Sequence, residues 1–385
     1  MHVVVIGAGI VGLLTALEVH ARGHSVEVRT AGIAEGATFA AAGMLAPTSE
    51  IQVGQGPLWA IMQEAAAAHR DLASRLPSLS AGLPSSATAE SAGYRADATL
   101  VVARDRADLA ALQDLAVLQR TTGAEVTELL PRRIRALEPS LARNIAGGVR
   151  IARDHQVDPR RLAATALRIL RGHGVPVVTG AVRSLDGIAA DRIVVAAGLG
   201  AARIDGPHRD LDLALRPVHG DILRLHVPRS LLLPGEDHLL GGTVRALVSG
   251  RPVYLVPRTD GGLVLGASSR EDPLAGTSTG AVLQLLQDAA QILPSIRETE
   301  LREVTTRARP GTPDDLPLLG PVPGHPHVVV STGYHRHGIL LSAWAARRAA
   351  DIVDGHPSAL PAAVDPARFT QTQPHPQPSE ENSCR

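Results

Sequence analysis

Apolar and polar positions follow two different rhythms along this chain. Val3, Val4, Val5 and Ile6 form an unbroken apolar run, the pattern of a parallel strand buried on both faces, and Gly7-Ala8-Gly9-Ile10-Val11-Gly12 follows at once. Leu13 to Arg22 then predicts a helix with Gly23 as its C′ residue, and Ser25 to Arg29 alternates so that Val26 and Val28 share the inward face of a second strand. Helical spacing returns from Pro57 to Leu76, where Leu58, Ile61, Met62 and Ala65 line one side and Pro77 is expected to stop the helix. Gly93 to Ala103 predicts a turn into a strand, Asp108 to Thr122 an amphipathic helix, and Arg132 to Glu138 a charged segment ending at Pro139.

Asp158 is a candidate N-cap and Pro159 the first residue of the next helix. Short strands are predicted at Val175–Thr179 and Val182–Leu185, followed by a buried strand from Asp191 to Gly198. From Arg216 to Leu265 the rhythm changes to alternating strands of antiparallel type, including Val253-Tyr254-Leu255-Val256-Pro257-Arg258 and a turn at Asp260-Gly261-Gly262. A helix at Gly280–Leu293, a strand at Leu301–Ala308, a rigid loop at Arg309–Gly320, a strand at His327–Ser331 and a last helix running to about Asp354 complete the pattern. No internal repeat is present, and from about Pro366 onward apolar periodicity is lost, which predicts disorder.

These elements predict an α/β chain of two domains. Residues 1–79, 145–215 and 319–357 would form a discontinuous Rossmann-type domain, residues 80–144 and 216–318 a second domain on a mainly antiparallel sheet, and 358–385 a largely disordered tail. The glycines after the first strand allow the backbone to approach a pyrophosphate at a helix N-terminus, so a dinucleotide is expected there. At the tip of the second strand, where an acid normally meets the ribose, stands Thr30; with Arg29 beside it, a 2′-phosphate and hence NADP stays open.

Composition narrows the function. The 385 residues carry no net charge and every basic residue among the Lys+Arg total is Arg, so there is no basic stripe for nucleic acid. Cys384 is the single cysteine, which excludes a disulfide framework, a cysteine-based metal site and a thiol nucleophile. No run approaches the roughly 20 apolar residues of a membrane span, and the first strand lacks the positive flank of a signal peptide; a cytoplasmic enzyme is expected.

The run Gly36-Ala37-Thr38-Phe39-Ala40-Ala41-Ala42-Gly43-Met44-Leu45-Ala46-Pro47 is too small for a core helix and too apolar for a surface loop. With the N-terminal glycines, Asp154–Arg161, the Tyr254 strand, the Arg309 loop and the Arg336 turn, in that order, it resembles the glycine oxidases of thiamine biosynthesis, in the D-amino acid oxidase-like FAD-dependent oxidoreductases, over about Met1 to Gly355. The resemblance implies noncovalent FAD held by Gly7, Gly9, Ile10, Val11, Gly12, Thr30, Ala31, Ala37, Thr38, Ala42, Gly43, Met44, Val182 and Gly198. It adds the turn Tyr334, His335, Arg336, His337 and Gly338 with Ile339 and Leu340, whose helix N-terminus would favour charge on the flavin's pyrimidine edge.

It also implies roles. Arg309 would clamp the substrate carboxylate, Arg336 would orient the substrate beside the flavin, and Tyr254 would donate its hydroxyl to the same carboxylate. The implied reaction is hydride transfer from the α-carbon of a neutral amine, hydrolysis of the imine to a 2-oxo acid and ammonia, and reoxidation by dioxygen to hydrogen peroxide, in a homotetramer with no metal. No strong protein base is then required, in keeping with the absence of an obvious Asp/His pair in the motifs. Departures are Thr30, which predicts weaker FAD retention, His335 and His337 in the Arg336 turn, Gly200 in place of an aromatic residue, and Arg270. The last predicts a cationic pocket rim and a substrate larger or more acidic than glycine, such as an N-substituted glycine. D-amino acids and secondary amines remain alternatives, as does a noncatalytic flavin- or NADP-binding protein.

Overall fold

The computed structural model describes residues 1–52, 54–356 and 360–370. Its first sheet has six strands in the order Leu318–Val322, His325–Thr332, Arg192–Val195, His2–Ala8, Ser25–Ile33, Val177–Thr179. The central pairs are parallel and Leu318–Val322 is an antiparallel edge. The apolar run at the N-terminus is continuous because both faces are covered. Val3 and Val5 face the helices Ile10–Ala21, Gly56–Leu79, Pro159–Gly172 and Gly338–Val353, whereas Val4 and Ile6 face a cluster with Ile204, Leu211 and Leu213.

The second sheet has eight strands in the order Glu300–Gly311, Arg216–His226, Gly262–Gly266, Arg251–Pro257, Thr243–Val248, Thr99–Ala103, Gly147–Ile151, Thr127–Leu129. It is antiparallel except where Thr243–Val248 runs parallel to Thr99–Ala103. The helix Thr279–Ile292 covers it through Leu285, Ala289 and Ile292. The sheets meet at a small apolar joint, where Ala40 and Ala42 pack on Ile222, Val256 and Val264.

Several expectations are corrected. The strand Gly147–Ile151 pairs with Thr99–Ala103, so the chain returns to the first sheet after residue 151 and not at 145. The helix Gly56–Leu79 runs through Pro77, because the Ser80 hydroxyl donates to the carbonyls of Leu76 and Pro77 and closes the last turn. Val182–Leu185 is not a strand; Val182 and Leu185 pack in the cluster behind the first sheet, and Ser184 makes one isolated bridge to Asp205. Arg309 lies on the strand Glu300–Gly311 and not in a loop; this strand is at the sheet edge, where Pro310 is tolerated. Residues 360–370 are packed: Val364 is fully buried and Pro366 lies against Gly320. The expected disorder from 371 to 385, with Cys384, lies outside the described residues.

Candidate functional site

The turn after the first strand is built on glycine for steric reasons. Gly7 has φ +110°, and a Cβ there would lie 2.4 Å from the Ala196 carbonyl oxygen, while a Cβ on Gly12 would lie 1.9 Å from that of Gly7. Gly9 caps the helix Ile10–Ala21 without a side-chain bond. Ile10 N donates to Thr38 Oγ1 at 3.0 Å, and the next amides of the first turn have no acceptor within a helix. This is a cradle for an anionic group.

Thr30 does not stand at its rim. It is buried, and its hydroxyl accepts from Ala8 N at 3.2 Å and donates to Gly32 O at 2.6 Å, so it ties strand to turn and is not turned outward toward a ribose. Arg29 is paired with Glu27 at 2.5 Å and gives no support to a 2′-phosphate. Ala31 is exposed at the end of the sheet.

Ala37–Ala40 forms one helical turn, and the chain then reverses at Gly43, where φ is +82° and a Cβ would sit 1.9 Å from Val157 O. Three arginines that sequence reasoning left without a role pin this loop by its carbonyls. Arg258 donates to Ala42 O and to Gln156 Oε1 at 3.2 Å. Arg224 donates to Phe39 O at 3.2 Å, and Arg160 donates to the same oxygen at 2.9 Å while its guanidinium stacks 3.6 Å from the Phe39 ring centroid.

At the far end of this loop the predicted substrate residues come together. Tyr254 lies opposite Arg245 on one neighbouring strand and Gly266 on the other. A Cβ on Gly266 would be 2.4 Å from the Tyr254 hydroxyl, and one on Gly220 would be 2.3 Å from an Arg309 guanidinium nitrogen. Neither glycine was singled out from sequence, yet both make room for the side chains that were. The Arg309 side chain makes one hydrogen bond among the described residues, from Nη1 to Ser268 O at 3.3 Å, and Arg336 makes no side-chain hydrogen bond or ion pair among them. Burial pulls the Arg309 pKa down and the Arg336 charge adds to this, against Tyr254 and Glu50. Burial raises the Tyr254 pKa, against the charges of Arg309, Arg245 and Arg336.

Glu50 was also missed. Its carboxylate is 2.7 Å from Arg245 Nη1 and 3.0 Å from His337 Nδ1. Burial alone would raise its pKa, but the His337 hydrogen bond and the Arg245 charge outweigh that and hold it well below the ordinary carboxylate range. Met44 Sδ lies 3.5 Å from the same Arg245 Nη1. Tyr334 is buried with its hydroxyl 2.8 Å from Ser331 Oγ, and Ile339 and Leu340 are core residues, so of these two only the backbone can serve a ligand. Gly198 has φ +57° and no atom within 4 Å of where a Cβ would stand. Val182 packs away in the cluster behind the first sheet. Arg270 is also corrected: it pairs with Asp221 at 3.0 Å and Asp272 at 2.7 Å, and its side chain is 10% exposed, so it is no free cation at a rim.

A family model described as FAD dependent oxidoreductase matches residues 2–352. The chain belongs to this family. Like the other FAD dependent oxidoreductases, it uses FAD, and the glycine cradle, the free amides of Ile10–Ala21 and the open space at Gly198 fit a dinucleotide. Among its relatives, the glycine oxidase of Geobacillus kaustophilus is 28% identical over 388 residues, covering 96% of each chain, and its crystal structure superposes with a TM-score of 0.83 over 95% of this chain and 98% of that one. A bifunctional ThiO/ThiG protein of a Nostoc species is 29% identical over 370 residues, 91% of this chain and 52% of the relative; the chain thus spans about half the length of such bifunctional relatives. An iminodiacetate oxidase from a Chelativorans species superposes with a TM-score of 0.80 at 25% identity, over 94% of this chain and 98% of that one. Among the described residues no helix is long and apolar enough to cross a membrane, and no cluster could hold a metal ion.

Proposed function

We propose that this chain oxidises glycine or a closely related small amino acid to a 2-oxo acid, glyoxylate in the case of glycine, with release of ammonia and hydrogen peroxide. The observation that supports it most is the meeting of Arg309, Arg336 and Tyr254 at the end of the Gly43 loop, with Arg336 free of protein partners among the described residues. A planar guanidinium matches a carboxylate with two parallel hydrogen bonds, so Arg309 fixes the substrate acid, Tyr254 donates to it, and Arg336 orients the molecule. FAD, when bound, supplies the two-electron acceptor and the route to dioxygen. Glu50, kept anionic by Arg245 and His337, neutralises part of the positive charge around the substrate. A cytoplasmic homotetramer belongs to the same proposal.

The test is peroxide release from the yellow, flavin-loaded protein over glycine, N-substituted glycines, D-amino acids and secondary amines. N-substituted glycines belong in the panel because one similar structure is an iminodiacetate oxidase. Turnover of glycine or a close analogue is expected; a yellow protein that oxidises none of them rejects the reading. Arg309→Ala should keep the flavin bands and raise KM roughly a hundredfold, since it removes one partner of a buried charge pair.

A further inference from the structure

Two carboxylate–imidazole pairs lie beside the arginines, although the motifs showed no obvious Asp/His pair. One, Glu50 with His337, is closed off: the His337 side chain is 1% exposed and that of Glu50 6%. The other is Asp315 with His335, twenty positions apart in the chain and joined across two turns. His335 Nδ1 lies 3.2 Å from Asp315 Oδ1, and the imidazole side chain keeps 10% exposure. Nδ1 has no aligned hydrogen bond, and the same Oδ1 accepts from Arg216 Nη2 at 2.7 Å; Nε2 has no hydrogen-bond partner among the described residues. Both residues hold left-handed backbone, φ +45° at His335 and +58° at Asp315, which side-chain-bearing residues rarely adopt.

We propose that His335, backed by Asp315, accepts the proton that the substrate's ammonium group must lose before its α-carbon can give up hydride. The inference rests on the amino acid oxidation proposed above. In this step an ammonium N–H bond breaks, its electron pair stays on the substrate nitrogen as the lone pair, and the proton bonds to the imidazole, later leaving to solvent. Electrostatics oppose the transfer until a carboxylate is bound. Arg309 from its strand, Arg216 from the adjacent strand, and Arg336 and His337 from the same turn surround the imidazole, while Asp315 faces it and Glu271 pairs with Arg216. Burial and these cations keep the unliganded imidazole neutral, with its pKa lowered to about 3. A bound carboxylate cancels much of the repulsion from Arg309 and Arg336, so proton affinity rises when the ammonium arrives.

The experiment measures kcat/KM for the best amine of the panel from about pH 6 to about pH 10, in the flavin-loaded wild type and in His335→Phe, His335→Asn and Asp315→Asn. In the His335 variants kcat/KM should fall about tenfold to a hundredfold near neutrality, and the loss should shrink at high pH, where the substrate arrives already neutral. Asp315→Asn should change the profile in the same direction by less. Absorption reports flavin retention, and His335→Asn serves if the bulkier phenyl ring prevents folding. A flavin-loaded variant whose rate stays in constant ratio to wild type at every pH overturns this inference and leaves the oxidase reading standing. A wild type inactive on every amine overturns both.

Discussion

At the scale of single residues, two missing methyl groups shape the substrate end. Replacing Gly266 with Ala would put a Cβ 2.4 Å from the Tyr254 hydroxyl, and Gly220→Ala would put one 2.3 Å from the Arg309 guanidinium. Either side chain must move, and overpacking of this kind costs about 1–3 kcal/mol, so kcat/KM should drop by about tenfold to a hundredfold with unchanged flavin absorption. Peroxide-release kinetics on the two variants check this. Arg309, Arg336 and Tyr254 were singled out through the family resemblance, and the fold places their charges and hydroxyl within reach of one another. Glu50 and Arg245 were not legible, since each looks like an ordinary surface charge until the fold brings them together across 195 positions. The same holds for His335 and Asp315, whose meeting depends on two turns and not on any local spacing.

At the scale of elements, the helix Pro159–Gly172 shows how a local signal can set a site. Asp158 accepts from Arg160 N at 2.9 Å and from Arg161 N at 3.2 Å, and the preceding Val157 N donates to Gly43 O at 2.8 Å. The cap therefore fixes the helix directly beside the reversal of the small-residue loop. Asp158→Ala should lose about 1 kcal/mol and lower the Tm by roughly 2 °C in a thermal melt. This cap was legible because Asp followed by Pro is a start signal in itself. The end of the helix Gly56–Leu79 was not: Pro77 forbids a bond from its own nitrogen, but Ser80 closes the turn from beyond it. The short strand expected at Val182–Leu185 failed for another reason, because apolar residues can pack under a sheet without pairing with it.

At the scale of the whole molecule, stability responds to groups far from the site. Glu138 accepts from the amides of Gly241, at 3.1 Å, and Gly242, at 3.3 Å, and burial raises its pKa to about 7. The folded chain then holds this proton at pH values where the unfolded chain has released it. Its stabilising effect is complete below the ordinary value and is lost as pH rises from about 4.5 to about 7. Glu138→Gln, which cannot ionise, should therefore gain Tm relative to wild type as pH rises through that window; parallel melting curves would refute it. The two sheets were legible from the change of rhythm at Arg216, but the return to the first sheet was placed too early, because Gly147–Ile151 carries no mark of which sheet it joins.

Beyond the last helix, Arg368 donates to both carboxylate oxygens of Asp314 at 2.9 Å and to the carbonyls of Leu316 and Pro317. Asp314 is the immediate neighbour of Asp315. A fusion partner, affinity tag or trimming protease acting at that arginine would thus be felt at the proposed substrate end of the protein, through a tether only one residue removed from the carboxylate beside His335.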